Sequence, residues 1–415
     1  MDGLFADFRI PHPGADHEVI QKVNELAIRL ARRAPEADRT RRLPQETVDE
    51  LRNEGLLTLY IDATDGGLEA TYPTQMQVVE LVAAACASTA WCLINHSATV
   101  LMARSILGES ARPYLEAVVH EGAILAHSQA PSGKAVPVPG GFVANGRWPF
   151  VSFSNYAKWT FLSTMVDGPP PGWQPTGKTS TPPPAHNRWL WLRMDEPGIV
   201  IEDTWDAMSL RGTMSNDVVL EDVFIPEERA PVVVRPQPET VWVPNPPPAF
   251  RIPYSTIRAL IGGQLLGIAQ AAFNDTIEYA ENQNMTVGGN AKVNMPGNQF
   301  AVADAAIAID SARTYLYDKV RYFAKKAITE EPFTRDDAIQ LQMANLMARE
   351  NSQIAVDRLF AIRGAHGLHV SGNFERYYRD VRAGTLHAFF PPDLERELIG
   401  KHLFGVPADA QPRWS

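Results

Sequence analysis

Three spacings in the chain combine residue types that could do chemistry, and each points to a different reaction. Gly172-Trp-Gln-Pro-Thr-Gly177-Lys178-Thr179 matches the phosphate-loop pattern G-x-x-x-x-G-K-[ST]. Such a loop works because a helix starts at the lysine and turns its backbone N–H groups toward the phosphates. Here Ser180-Thr181-Pro182-Pro183-Pro184 follows, and a proline run cannot open that helix. The match reads as chance within a proline-rich loop. His366-x-x-His369 could offer two imidazoles to a metal ion, but no carboxylate or third ligand accompanies them, so they read as structural histidines. Gly212-Thr-Met-Ser215-Asn216 lacks the closing glycine of the G-x-S-x-G nucleophile elbow. Neither G-x-G-x-x-G nor H-E-x-x-H occurs, so nicotinamide-Rossmann, hydrolase and metal chemistry recede.

The chain that must position any such residues has 415 amino acids, of which 45% are hydrophobic, 21% charged and 9% aromatic. That is ordinary globular usage, enough for two or three structural units. A formal net charge of −10 has the wrong sign for a phosphate-binding surface, and no basic cluster suggests a membrane surface. Neither nucleic acid nor membrane is expected as a partner. Cys86 and Cys92 lie six apart in one apolar run, facing about 240° apart on a helix, so neither a local disulfide nor a metal spacing results. The start of the chain shows no signal peptide. A cytoplasmic protein is expected. The longest apolar run, Val78 to Ile94, contains Glu80 and falls short of the ~20 residues that span a bilayer, so it reads as a buried core helix.

The periodicity predicts three blocks. Residues 1–121 are helical: Val19, Val23, Leu26 and Leu30 paint one face, Pro44 opens a second helix, and Val78 to Leu107 continues as helix. Residues 122–235 form a small antiparallel β-domain, with strands at Ala123–Ala126, Gly141–Ala144, Tyr156–Met165, Trp189–Met194 and Asp217–Ile225. A proline-rich loop at 168–187 interrupts them. Residues 236–415 begin with a proline-rich linker and return to helix from Tyr254 to about Gly364, with Ile339, Met343, Leu346, Glu350 and Ile354 as one stripe. Gly263-Gln-Leu-Leu-Gly267 would allow close helix packing. Segregated blocks of this kind predict an α+β architecture.

Several segments, in order, resemble the acyl-CoA dehydrogenase superfamily: Asn95-His96, Ala126-His-Ser128-Gln129, Gly146-Arg-Trp148-Pro-Phe150-Val-Ser152-Phe-Ser154, Met208 to Pro226, and Glu375-Arg-Tyr-Tyr-Arg-Asp380. Met208 to Pro226 is similar to the family's G-x-R-G-T-x-S-x-D-V-x-F-x-D-V-x-V-P run that closes its β-domain. The resemblance spans about residues 15–405. It implies an N-terminal helical domain, a central small β-barrel or sandwich and a C-terminal four-helix bundle.

The departures from that family redirect the function. Where its catalytic Glu stands, eight residues after the Arg-Asp pair, this chain has Ala388 beside His387. Without that base the usual α,β-dehydrogenation has no proton acceptor. The G-G-x-G-Y stretch that helps hold FAD is Arg363-Gly-Ala-His-Gly-Leu368, and the Arg-rich segment that meets the partner's FAD is Glu281-Asn-Gln-Asn-Met285. These features are similar to the group D flavin monooxygenases, such as the p-hydroxyphenylacetate, steroid-phenol and dibenzothiophene oxygenases. That resemblance implies an oxygenase component that takes reduced FMN or FAD from a separate NAD(P)H-flavin reductase, uses O2, and oxygenates a small aromatic or heteroaromatic substrate through a C4a-hydroperoxyflavin. It also implies a homo-oligomer, a tetramer. The alternatives are an acyl-CoA dehydrogenase-like flavoprotein with a relocated base, an amino-sugar N-oxygenase, and a non-catalytic partner subunit.

The resemblance assigns roles. Ser152 would bond the flavin and Ser128 would line its ring, in a site closed to water. His387 would take the proton of a phenol, a task suited to a group with a reference pKa near ~6.5. His96 would bond substrate or oxygen. Trp148 and Phe150 would wall the flavin, and Arg211 and Asn216 would hold its phosphate or edge.

Overall fold

The computed structural model describes residues 6–174, 181–232, 239–241, 243, 245–253, 255–284, 289–386 and 391–407. Five helices come first: α1 (His17–Thr40), α2 (Gln45–Asn53), α3 (Tyr72–Ala85), α4 (Ala87–Leu107) and α5 (Arg112–Glu121). Asp16 opens α1 by accepting the N–H of Val19 at 3.1 Å. Val19, Val23, Leu26 and Leu30 are all buried, as their spacing predicts.

The apolar run expected to be one core helix is two. Cys86 has extended backbone, φ −153° and ψ 105°, and caps α3 while opening α4. Both cysteines are buried free thiols, but the break removes the single helix on which their relative facing was reckoned. Hydrophobic periodicity does not register such a break, because both helices are buried on almost every side.

Among the described residues seven strands follow: β1 (Ile124–Ser128), β2 (Lys134–Val138), β3 (Gly141–Val151), β4 (Ala157–Asp167), β5 (Ala185–Arg193), β6 (Ile199–Glu202) and β7 (Asn216–Pro226). They form one sheet in the order β1-β4-β2-β3-β7-β6, with β5 on β4. It is mixed rather than antiparallel. The β2–β3 hairpin lies between β1 and β4 in sequence, and the chain returns beside β1 in the same direction, Leu125 opposite Trp159. β2 and β6 escape the sequence reading because both are short and largely solvent-facing. The proline-rich stretch connects β4 to β5; residues 175–180, with most of the phosphate-loop match, lie outside the described residues. Ala126, Phe142, Trp148, Leu162, Leu190 and Val218 form the sheet's own core.

The C-terminal helices are α6 (Ser255–Glu281), α7 (Pro296–Thr329), α8 (Arg335–Arg363), α9 (Phe374–Ala383) and α10 (Pro392–Leu403). α6 crosses α3 at two of its three glycines: a Cβ on Gly267 would fall 2.1 Å from the Glu80 carbonyl, and one on Gly263 2.5 Å from Met76 Sδ. The crossing is pinned by buried Glu80, which accepts from Arg313 of α7 at 2.8 Å and from the Tyr317 hydroxyl at 2.7 Å. The stripe expected on α8 is only half buried. Ile339 and Leu346 lie in the core, Met343 and Ile354 are exposed, and Glu350 pairs with Arg396. α8 packs on both α6 and α7, so its buried surface is broader than one stripe and centred on Ala344, Ala348, Ala355 and Leu359. Among the described residues, no helix is long and apolar enough to cross a membrane.

Candidate active site

The site begins where β3 leaves the sheet. Trp148 points inward, fully buried, and its indole N–H donates to the Ser163 carbonyl at 2.7 Å. The pairing of β3 with β7 then shifts register between Trp148 and Val151. A bulge of this kind re-aims side chains. Phe150, at φ +61°, is turned outward and left 66% exposed, its ring meeting Trp205 edge-on at 6.0 Å. Two residues later Ser152 is buried, and Phe153 follows at φ +68°.

The segment before β7 is strained in the same way, with Leu210 and Met214 both at φ +49°. Four of the nine described non-glycine residues with positive φ thus flank this one place. Each costs on the order of 1–3 kcal/mol and persists only where its surroundings over-determine it. They do so here. The Phe153 N–H donates to Thr213 O at 2.8 Å, Ser154 Oγ to Met214 O at 2.8 Å, and the Gly212 N–H to Ser88 Oγ at 3.2 Å. The Leu210 N–H donates to Asp380 Oδ1 of α9 at 2.7 Å. Burial pushes the Asp380 carboxyl up to about 6, against the pull of that N–H and of Arg379 and Arg376.

Between the two strained turns lies a row of hydroxyls. The Trp91 indole N–H donates to Ser152 Oγ at 3.0 Å, Ser152 Oγ lies 2.8 Å from Ser215 Oγ, and Ser215 Oγ lies 2.7 Å from Thr213 Oγ1. Trp91 belongs to α4, whose residues 87–103 are all buried except Trp91 and Asn95. Asn95, one turn on, donates to the Trp91 carbonyl at 2.8 Å. An open aromatic, a flanking tryptophan and an oriented hydroxyl are what a planar heteroaromatic ring with a polar edge requires, and the residues present fit a flavin ring.

Comparison with known proteins agrees with that geometry. Residues 15–112 match the acyl-CoA dehydrogenase N-terminal domain and residues 259–392 the acyl-CoA dehydrogenase C-terminal domain. The chain belongs to the acyl-CoA dehydrogenase superfamily. Within it the sequence is 28% identical to the flavin-dependent monooxygenase oxygenase subunit HsaA of Mycobacterium tuberculosis, covering 94% of this chain and 96% of that protein. It is 27% identical to the oxygenase component of the FADH(2)-dependent resorcinol hydroxylase of Rhizobium sp., over 91% and 92%. The 3-HSA hydroxylase of Rhodococcus sp. RHA1 superposes with a TM-score of 0.80 at 25% identity, covering 94% of this chain and 98% of that one. XiaF from Streptomyces sp., solved with FADH2 and glycerol, shares the fold with a TM-score of 0.81 at 24% identity, over 94% and 96%. The expected α+β superfamily fold and its flavin-monooxygenase branch are what these likenesses support.

Against this family background the residues singled out in the sequence part company. Ser152 and Phe150 stand two residues apart at the bulge, Ser152 buried and Phe150 exposed, with the Ser152 N–H donating to the Phe150 carbonyl at 3.0 Å. Ser128 is also buried, its hydroxyl donating to the Pro149 carbonyl at 3.1 Å, so it fixes the strand that carries Phe150. Trp148 has no open face and belongs to the sheet's core. Arg211 spends its guanidinium on Asp38 O, Asp206 and Ala207 O. Asn216 accepts the N–H groups of Thr204 and Trp205 at 3.1 and 2.9 Å and donates to Asn155 at 2.8 Å. Both residues brace the loops that precede β7, Arg211 through Nε and Nη1 and Asn216 through its whole amide.

His96 is fully buried. It accepts the Leu125 N–H at Nδ1 (3.0 Å), so its proton sits on Nε2 and is donated to Leu57 O at 2.8 Å. Burial lowers its pKa to about 4. A neutral imidazole with both nitrogens engaged by backbone has none left for a ligand. His387 and Ala388 lie outside the described residues.

Sequence reasoning passed over Trp91, Trp205 and the roles of Thr213 and Ser215. One signal for Trp91 was available. Trp91 and Asn95 are polar-edged residues at i and i+4, one turn apart on the same face of the helix.

Proposed function

We propose that this chain is the oxygenase component of a two-component flavin-dependent monooxygenase, hydroxylating a small phenolic or heteroaromatic substrate with O2 and reduced flavin. The observation that carries the reading is the buried Ser152 hydroxyl, held by Trp91 two residues along the chain from the exposed ring of Phe150. Bound there, a reduced flavin supplies the activation of O2. The protein's part is to seat the ring against Phe150 and Trp205, to present Ser152 at its edge and to keep water out. Trp91 and Asn95 line the α4 side of the same cleft. His387, on the strength of its position in the C-terminal segment, takes the substrate's phenolic proton. His96, unlike the role first expected of it, supports the site by joining α4 to the Leu57 turn and to β1.

The relatives' description as oxygenase subunits or components supports a separate reductase as partner. Exposed Phe300, Ile307 and Ile328 on α7 and Ile354 on α8 fit burial in a homotetramer. The buried free thiols of Cys86 and Cys92 fit a cytoplasmic setting.

The test is anaerobic mixing with chemically reduced FMN or FAD, then an oxygen pulse followed by absorbance. Retarded appearance of oxidised flavin relative to flavin alone, with one flavin favoured, is the expected result. Oxidation at the rate of free flavin would remove the reading and return attention to a dehydrogenase with a relocated base or a non-catalytic subunit.

A further inference from the structure

We infer that His127 and Gln129 form a proton-accepting pair: the imidazole takes up and returns a proton inside the folded protein, and the Gln129 amide turns over to match. The inference concerns this chain's own side chains and holds with or without flavin. On the oxygenase reading it supplies a place, besides His387, for a proton released in the reaction.

His127 is held on three sides. β1 runs beside β4 with His127 opposite Phe161, and the two rings stack at 5.1 Å with 6° between their planes. Nδ1 lies 2.8 Å from Thr99 Oγ1 of α4, and Nε2 lies 3.3 Å from Gln129 Nε2. Two observations agree on where the ring proton sits. Thr99 Oγ1 is 2.8 Å from the Asn95 carbonyl, which can only accept, so the hydroxyl proton goes there and Thr99 receives the Nδ1–H. The Gln129 atom that meets Nε2 is the amide nitrogen, which can only donate, so Nε2 offers its lone pair. The hydrogen-bond network thus assigns the neutral ring the Nδ1–H tautomer.

Uptake of a proton from water or from a bound acid forms a second N–H bond, at Nε2. A half-turn of the Gln129 amide then replaces its nitrogen by its carbonyl oxygen, which accepts that N–H. Every proton keeps an acceptor: Nε2–H on Gln129 Oε1, Nδ1–H on Thr99 Oγ1, and the Thr99 hydroxyl on the Asn95 carbonyl. Gln129 is half-buried, so water meets the end of the amide that turns away. The turn gives up one weak contact, from Gln129 Nε2 to Met102 Sδ at 4.0 Å. Thr99, Gln129 and Phe161 are uncharged, and what they give the cation is hydrogen bonds and a ring face. His96 is built the other way. Its Nδ1 accepts the Leu125 N–H, so a second ring proton would meet another donor, and burial holds its pKa at about 4.

The test is a pH titration of the full-length protein without flavin, followed by NMR of isotope-labelled histidine and glutamine side chains. His127→Gln and Gln129→Leu assign the signals. His127 is expected to charge at a higher pH than His96, from a neutral form with its proton on Nδ1, and the Gln129 amide signals should move at the same midpoint. Gln129→Leu takes a charge-assisted bond from the cation and a weaker one from the neutral ring, so proton affinity should fall roughly 3–10-fold. Gln129→Glu supplies a charged acceptor and should raise it roughly tenfold or more. Thr99→Val leaves Nδ1–H without its acceptor, so the proton of the neutral ring should move to Nε2. Four results would each overturn the pair: His127 still neutral at about pH 4, a neutral wild-type ring protonated on Nε2, a Gln129 amide that does not move with His127, or a midpoint indifferent to both Gln129 variants. The oxygen-pulse experiment succeeds or fails independently of these signals, which separates this inference from the flavin reading.

Discussion

Asn95 and His96 are neighbours on α4 and look out on different worlds. Asn95, with Trp91 one turn earlier, is on the only part of residues 87–103 that is not fully buried, the side that reaches Ser152 through Trp91. His96, about 100° further round the helix, is sealed between the Leu57 turn and β1 with both nitrogens bonded to backbone. The side chain with the richer catalytic repertoire is the one removed from chemistry. Residue type nominates a catalytic group, but the helical face decides whether it can reach a substrate. The cleft side of α4 therefore predicts loss of function with the fold intact, and the core side predicts loss of stability with the chemistry intact.

The largest effect is expected at His387, the residue proposed as general base. His387→Ala should lower hydroxylation by roughly 10²–10⁴-fold while flavin affinity and thermal unfolding stay unchanged. Product formation at the wild-type rate would mean that neither histidine is the base. On the cleft side, Ser152→Ala should slow product formation by roughly 10²-fold, the usual consequence of losing one oriented donor at a reacting group. Hydrogen peroxide release should rise in step, measured as oxygen consumed per product formed. Tight coupling in that variant would place the flavin edge elsewhere.

His96→Leu probes the core side. It orphans Leu57 O and the Leu125 N–H, each at a cost of about 1–3 kcal/mol, so the unfolding midpoint should fall while kcat measured well below it changes less than about threefold. The pH dependence has a definite sign. The folded pKa of about 4 lies below the unfolded value of 6.5, so between these values the unfolded chain binds more protons. The stabilisation is whole above pH 6.5 and fades as pH falls toward 4, by about 3 kcal/mol in all. Asp380 runs the other way, because its folded pKa of about 6 lies above the usual carboxylate value and its contribution fades as pH rises through that range. The difference between wild type and His96→Leu isolates the histidine's slope, and the same acid slope in both proteins would contradict the burial argument.

How much of this was legible follows from what a sequence encodes locally. The face of α1, the approach of α6 to α3 through Gly263 and Gly267, and five of the seven strands are local patterns, and they could be read. That Ser152 and Phe150 stand close together could be read because one short motif holds both. The break at Cys86 could not, since apolar residues surround it on both sides and no glycine or proline marks it. Trp148 went wrong for a geometric reason. Strict alternation puts residues 148, 150 and 152 on one face, and only the bulge sends Phe150 outward while Trp148 stays in the core. The hydroxyl row joins α4, the end of β3 and the turn before β7, residues 61 to 124 apart in sequence, and no local pattern encodes such a meeting.

Two smaller effects sharpen the comparison at the cleft itself, where direct contact and loop positioning must be told apart. Phe150→Ala removes an open aromatic and should weaken flavin binding about 3–10-fold, the worth of one ring contact. Asn216 holds the Trp205 backbone by accepting its N–H at 2.9 Å. Asn216→Ala frees the Thr204 and Trp205 N–H groups that its carbonyl holds and lets Trp205 drift, so flavin binding should weaken only about threefold. Asn216→Asp keeps an oxygen for both N–H groups and loses the amide's bond to Asn155, so it should bind flavin within about twofold of wild type. If Asn216 instead met the flavin directly, the new carboxylate would repel the electron-rich reduced ring, and Asp would be the more damaging change. In a Phe150→Ala background, the Asn216→Ala effect should shrink, because Trp205 then has no partner ring to be held against. Full additivity of the two losses in fluorescence titrations would show that Asn216 acts on the flavin by a route other than Trp205.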